Sequence, residues 1–200
     1  ALHARLLRPP AHGATLVSVD PAAAAARPGV TVVRDGDLVA VLHAHRDEAD
    51  AALALVKAQW APSPSTIDDR TIFEHLVKAA PAAELVQEGG DLAEGARRSV
   101  HTFEHTYLNA YVAHAALETH SALARVEDGK LTVWASTQTP FPLKSQLAQA
   151  LGLAPDKVRV ITPYLGGGFG GKSANQQAIE AARLAVRTGV PVRVVWSREE

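Results

Sequence analysis

Seven consecutive residues, Gly166 to Lys172 (GGGFGGK), could hold a large anionic group almost entirely through the backbone. Five of them are glycine, so N–H groups lie open and a ligand can come close. The run fits two nucleotide-binding patterns. As G-x-x-x-x-G-K-S it uses Gly166, Gly171, Lys172 and Ser173. Lys172 would then reach terminal phosphates and Ser173 a magnesium ion. Against this, no apolar strand ending in Asp follows, since VRVVWS (192–197) runs into Arg198–Glu199. Phe169 is also bulky for a phosphate cradle. As G-x-G-x-x-G the run uses Gly166, Gly168 and Gly171, with Glu199 as the ribose-binding acid. That fingerprint belongs to an early βα turn, and this run lies in the last third of the chain.

Other residues invite a chemical reading. His101 and His105, with His114 and His120, suggest a metal site. The alternation of VHTFEHTYL (100–108) favours a half-buried strand instead, which sets His101 and His105 roughly 13 Å apart on one face. Glu118 reads as a buried, hydrogen-bonded structural acid. Asp68–Asp69–Arg70 and Arg97–Arg98 read as solvated surface, and Trp60, Trp134 and Trp196 as packing at strand ends.

The elements that would position these groups alternate between strand and helix. LHARLLR (2–8), TLVSV (15–19), VTVV (30–33) and the doubly apolar LVAVLHA (38–44) read as strands. Asp20 and Pro21 start a short alanine helix that Pro28–Gly29 stops. Asp47 to Val56 has helical spacing of apolar residues, and Lys57 to Ala61 runs extended. Residues 62–98 lack a long period; Thr71 to Ala80 forms one short helix, and GGDLAEGARR (89–98) a surface connector. Asp128–Gly129 joins two strands of a hairpin. Pro142 to Gly152 is a helix with Gly152 as its stop. A strand ending at Leu165, the glycine run, a helix over 172–188 and the strand 191–197 follow.

Composition narrows the function classes. The 200 residues carry a net charge of −1 and are 47% hydrophobic, which suits one or two globular domains. No basic stripe exists, which argues against a nucleic-acid partner. The absence of Cys excludes a disulfide framework and iron–sulfur ligation by these residues. No run of 18 apolar residues is present, so no membrane span is expected. The first residue is not Met and the last follows a strand directly, so the chain reads as an excerpt of a longer polypeptide.

Several linked segments are similar to the molybdenum hydroxylase family, which includes xanthine dehydrogenase and aldehyde oxidase. STQTPFPLKSQLAQALGLAPDKVRVITPYLGGGFGGK (136–172) resembles the family's pairing of an S-T-Q segment with a GGGFGGK loop. HAALETH (114–120) resembles another family segment. LHARLLRPPAHGAT, at the start, and residues 37–62 resemble the family's α/β hammerhead domain.

The resemblance implies a mixed α/β (α+β) fold. A hammerhead domain would occupy residues 1–80, a connector 81–98, and the N-terminal part of a truncated molybdopterin-binding domain 99–200. It implies a large subunit that hydroxylates an N-heterocycle or oxidises an aldehyde with oxygen from water. Gln138 would direct its amide at a molybdenum oxo ligand. Phe169 and Gly170 would offer N–H groups to cofactor oxygens, with Gly167, Gly168 and Gly171 permitting the approach. A helix starting near Lys172 would add positive potential. Ser173 stands in the substrate pocket where purine-oxidising members carry Glu, which argues against a purine. The protein would supply no direct metal ligand, and the catalytic Glu would lie outside these residues.

The implied cofactors are molybdopterin, with or without a cytosine dinucleotide tail, and 2Fe–2S clusters in a partner. The implied partners are an iron–sulfur subunit and an FAD subunit, in the bacterial cytoplasm or periplasm. A P-loop nucleotide-binding protein and a non-catalytic hammerhead docking module are the alternatives.

Overall fold

The computed structural model describes residues 1–64 and 67–200; Ser65 and Thr66, in the Pro- and Ser-rich run after Trp60, lie outside the described residues. Two compact units are present, Ala1–Ser63 together with Ala113–Glu200, and Pro64–Val112.

The larger unit is built on a mixed sheet of seven strands. Its members are β1 (Leu2–Leu6), β3 (Thr31–Asp35), β4 (Leu38–His43), β6 (Ser121–Glu127), β7 (Lys130–Ala135), β8 (Val158–Ile161) and β9 (Val192–Val195), in the order β3-β4-β1-β9-β6-β7-β8. The pairs β1/β9 and β7/β8 are parallel and the other four antiparallel. The fold is therefore mixed α/β. A separate ribbon pairs β2 (Thr15–Asp20) with β5 (Lys57–Ala61).

β4 has apolar residues on both faces because both are covered. Leu38, Ala40 and Leu42 enter the main core, while Val41 packs with Ala24 of α1 (Ala22–Ala25) and Ala52 of α2 (Arg46–Leu53). On the main face, α6 (Gln176–Thr188) presents Ala178, Ala181, Ala182 and Ala185, whose small side chains let the helix axis approach the strands. Leu143 and Leu147 of α5 (Pro140–Leu151) complete that core, each contributing about 1.5–3 kcal/mol by leaving water. Gly152 ends α5 at φ 63°, as its position after the last apolar residue predicts. The β6–β7 turn places Asp128 at φ 50° and Gly129 at φ 70°, both left-handed as a two-residue hairpin turn requires.

The smaller unit holds α3 (Ile72–Ala79) and α4 (Leu92–Arg98), neither with a buried residue. α4 lies where a connector was expected. Asp91 accepts a hydrogen bond from the Glu94 N–H (2.9 Å) and so caps its start. Residues 100–108 do not form the expected strand; they have no regular structure and are exposed. A strand needs a neighbour to pair its backbone groups, and among the described residues this unit contains none. No helix among the described residues is long and apolar enough to cross a membrane.

Candidate functional site: a glycine loop held from two sides

The glycine run leaves β8 through Thr162–Leu165 and forms a tight loop. Gly167, Phe169 and Gly170 have φ of 93°, 53° and 99°. Left-handed backbone at Phe169 is uncommon for a residue with a Cβ, and the residue is 76% exposed. The contacts around the run explain its glycines. A Cβ on Gly166 would lie 2.6 Å from Glu118 Cβ, one on Gly168 2.6 Å from Gln138 Oε1, and one on Gly171 3.0 Å from His114 Cγ. Glu118, Gln138 and His114 thus press against the loop where side chains are missing.

The loop N–H groups divide into used and unused. The Gly166 N–H donates to Glu118 Oε2 (3.2 Å), the Gly170 N–H to Gln138 Oε1 (2.9 Å) and the Gly171 N–H to Gly168 O (2.9 Å). Among the described residues nothing accepts from the N–H groups of Gly167, Gly168 and Phe169. Three successive N–H groups without acceptors, in a bend of alternating handedness, are a set for an anion or a negatively polarised oxygen. Of the two donors expected to face a cofactor, the Phe169 N–H has no protein acceptor among the described residues, whereas the Gly170 N–H is directed at Gln138.

Gln138 sits at the junction of β7 and α5. Its own N–H donates to Lys172 O (2.9 Å), and its Oε1 also accepts from the Lys172 N–H (3.3 Å). Two N–H donors at one end fix the sense of the amide, so Nε2 is the free end. The junction beneath is tied by a polar network. Thr137 Oγ1 donates to Asn175 Oδ1 (2.6 Å), and Asn175 Nδ2 donates to Thr139 Oγ1 (3.0 Å) and Gln146 Oε1 (3.1 Å). Asn175 carries no motif that singles it out in the sequence, yet it joins α5, α6 and the Gln138 strand end.

Lys172 is neither a phosphate ligand nor a solvated lysine. Its side chain is 1% exposed, and Nζ donates to Glu118 Oε1 at 2.7 Å. Turning it toward a phosphate would abandon the Glu118 carboxylate and draw a buried stem into water. The helix expected over 172–188 starts at Gln176. Gly171–Ser173 is instead a 3-10 turn, Lys172 has φ −89° and ψ 23°, and Ala174 is extended. Gly170 at φ 99° turns the chain away from a helical path. Both nucleotide patterns need the helix N-terminus on the glycine run, so the P-loop and dinucleotide readings fail on geometry.

Ser173 is exposed; its N–H donates to Gly170 O (3.1 Å) and its carbonyl accepts from Thr139 Oγ1 (3.1 Å), with the hydroxyl left clear of the α6 cap at Asn175. Glu118 is hydrogen-bonded to the loop as expected of a structural acid, but its side chain is 36% exposed rather than buried. The Glu118 N–H also donates to Gly166 O (3.0 Å). His120 Nε2 donates to Gly171 O (3.0 Å), since a carbonyl can only accept, and its ring packs on Trp196 at 4.9 Å. His114, Glu118, His120, Trp196 and Arg198 wall a cavity of about 320 Å³ beside the loop. His101 and His105 lie in the irregular exposed stretch, and no cluster of three His, Asp or Glu able to hold a metal occurs among the described residues.

Fold and site together define a domain with a cradle of backbone amides and one carboxamide. Residues 76–200 match the molybdopterin cofactor-binding domain, and the chain belongs to that family. It is 29% identical over 209 residues to a nicotinate dehydrogenase subunit of Pseudomonas putida, covering 100% of this chain and 18% of that protein. It is 33% identical over 181 residues to the xanthine dehydrogenase molybdenum-binding subunit of Escherichia coli O157:H7, covering 82% of this chain and 23% of that protein. The crystal structure of quinoline 2-oxidoreductase from Pseudomonas putida 86 shares the fold over 99% of this chain and 31% of that one, with a TM-score of 0.75 and 22% identity. The chain spans about a fifth of the length of these curated relatives.

Proposed function

We propose that this chain is part of the large subunit of a molybdenum hydroxylase, and that residues 166–171 with Gln138 hold its molybdopterin group. One observation carries the reading: Gln138 is bonded to the glycine loop through both backbone and side chain, beside three successive N–H groups with no protein acceptor among the described residues. The cradle fits such a group. It is lined by glycines where a Cβ would collide with its walls, and its donors are neutral dipoles fixed before a ligand arrives.

When bound, the group would supply the two-electron oxidation of an electron-poor carbon with oxygen from water. Gly167, Gly168 and Phe169 would donate N–H groups to it, and Gln138 Nε2 would add a neutral side-chain donor. Gly170 and Gly171 shape the bend; Gly170 acts by orienting Gln138. Ser173, exposed at the end of the run, would border the substrate. Its short hydroxyl cannot make a charged contact at the reach of Glu, so the reading favours an aldehyde or a non-purine N-heterocycle. The acid–base residue would lie outside these 200 residues.

The division into a hammerhead domain (1–80), a connector (81–98) and a cofactor domain (99–200) belongs to the same reading. The family match begins at residue 76, near the proposed end of the hammerhead domain, and runs through the proposed connector. The relatives named as subunits support an assembly with further subunits, which this reading takes to be iron–sulfur and FAD partners.

The test is metal analysis of the full-length protein produced with its neighbouring subunits, beside a Gln138→Ala variant. Close to one molybdenum per polypeptide, dye-coupled oxidation of an aldehyde or N-heterocycle, and loss of turnover in the variant are expected. Full turnover by the variant, or a molybdenum-free protein that binds nucleotide, would overturn the reading.

A further inference from the structure

We infer that Glu118 and Lys172 are positioning residues that latch the two ends of the glycine loop together and so converge the free N–H groups of residues 167–169. One carboxylate reaches both ends. Oε2 accepts from the Gly166 N–H (3.2 Å) and Oε1 from Lys172 Nζ (2.7 Å). The Glu118 backbone adds a second bond to the first end, its N–H donating to Gly166 O (3.0 Å). Lys172 in turn is held by Gln138 at N–H and carbonyl. The path Gly166–Glu118–Lys172–Gln138–Gly170 therefore closes a ring around the three unused donors.

The asymmetry of the pair fits this role. The Lys172 side chain is 1% exposed while that of Glu118 is 36% exposed, so the ammonium is the fixed post and the carboxylate the arm. An unpaired ammonium at that depth is costly, which drives the arm onto it. Gly166 has no Cβ because Glu118 Cβ occupies that space. A loop held open by its own scaffold loses little order when a ligand binds, which is how pre-organised donors gain strength.

The inference rests on the cofactor reading above for what the loop holds, but not for the latch itself. Three variants of the full-length protein in its complex test it: Glu118→Gln, Glu118→Asp and Lys172→Met. Amide exchange at residues 166–171 is the primary readout, with molybdenum content and thermal unfolding alongside. Each variant removes a charge-assisted hydrogen bond, so loop exchange should rise roughly tenfold to a hundredfold. Glu118→Asp keeps the charge but loses reach. It should fail like Glu118→Gln if the arm latches, and behave as wild type if only local charge matters. If Lys172→Met does not fold, the Glu118 pair decides alone.

The double variant Glu118→Gln/Lys172→Met should regain thermal stability, having no orphaned charge, without regaining loop protection. Unchanged loop exchange in the Glu118 variants, with lowered global stability only, overturns the latch. Faster loop exchange in a protein that holds no molybdenum even as wild type supports the latch and sinks the cofactor reading instead.

Discussion

Replacing Gly168 by Ala separates the role of Gln138 from the stability of the fold. The added Cβ would sit 2.6 Å from Gln138 Oε1, 2.7 Å from Cδ and 3.2 Å from Cγ. All three atoms belong to an exposed, flexible side chain, so the side chain gives way and the backbone need not. Gly168 is outside the left-handed region, so Ala meets no conformational penalty there. Moving Gln138 aside breaks its bonds from the Gly170 and Lys172 N–H groups, at about 0.5–1.5 kcal/mol each. Opening of the loop should become easier by about 1–3 kcal/mol, which speeds amide exchange at residues 170 and 172 roughly five- to a hundredfold. Gln138→Ala should produce the same change without any collision. The double variant should match Gln138→Ala, because the atoms that the new methyl group would strike are gone. Additive effects, or unchanged exchange at residues 170 and 172 in Gly168→Ala, would refute the steric reasoning.

Gly166→Ala meets a different wall. Its Cβ would lie 2.6 Å from Glu118 Cβ and 3.5 Å from the Glu118 backbone nitrogen, and Glu118 is pinned by Lys172. The strain cannot be shed by a side chain, so a loss of about 1–3 kcal/mol and a clear fall in melting temperature are expected; a melting curve like that of wild type would contradict it. A pH dependence is expected at Asp35, whose carboxyl is held below the usual range by hydrogen bonds from Arg183 first and Arg187 second. A depressed folded value means the contribution is complete above the ordinary carboxylate range and lost as the pH falls through the folded value. The melting temperature of wild type should drop more steeply than that of Asp35→Asn below about pH 4, and parallel curves would argue against the linkage.

Much of the fold is legible where local chemistry decides the backbone. Asp128–Gly129 announces its hairpin because few other pairs tolerate two left-handed residues, and Gly152 marks the end of α5 for the same reason. The double apolarity of β4 declares that both faces are covered. The sequence does not disclose that β1 lies parallel to β9, with Leu2 opposite Val192, since partners 190 residues apart leave no local trace. The start of α6 misleads because Gly-Lys-Ser before an amphipathic run looks like a helix opening. The strand expected over 100–108 shows that alternation records a propensity, while a strand also needs a partner for its backbone. At the site, the resemblance of residues 136–172 to the family's paired segments puts Gln138 and the glycine run together, whereas Asn175 and the partner of Lys172 are invisible in any window of sequence.

The string from Gly166 to Ser173 satisfies a nucleotide-binding pattern letter for letter, and what separates the two chemistries is a residue 54 positions away. A phosphate-binding lysine must keep its ammonium free at the mouth of the loop, and the chain after it must enter a helix whose N–H groups face the ligand. Here the ammonium is buried against Glu118, and a 3-10 turn with extended Ala174 delays the helix to Gln176. The charge that a nucleotide would need is thereby neutralised inside the scaffold. The loop tip is left with neutral dipoles, which suit oxygen atoms of a group that does not rely on a formal counter-charge. Taking away the carboxylate of Glu118 therefore does more than loosen a loop. It leaves the Lys172 ammonium buried without its partner, and the donors of residues 167–169 lose the scaffold that converges them.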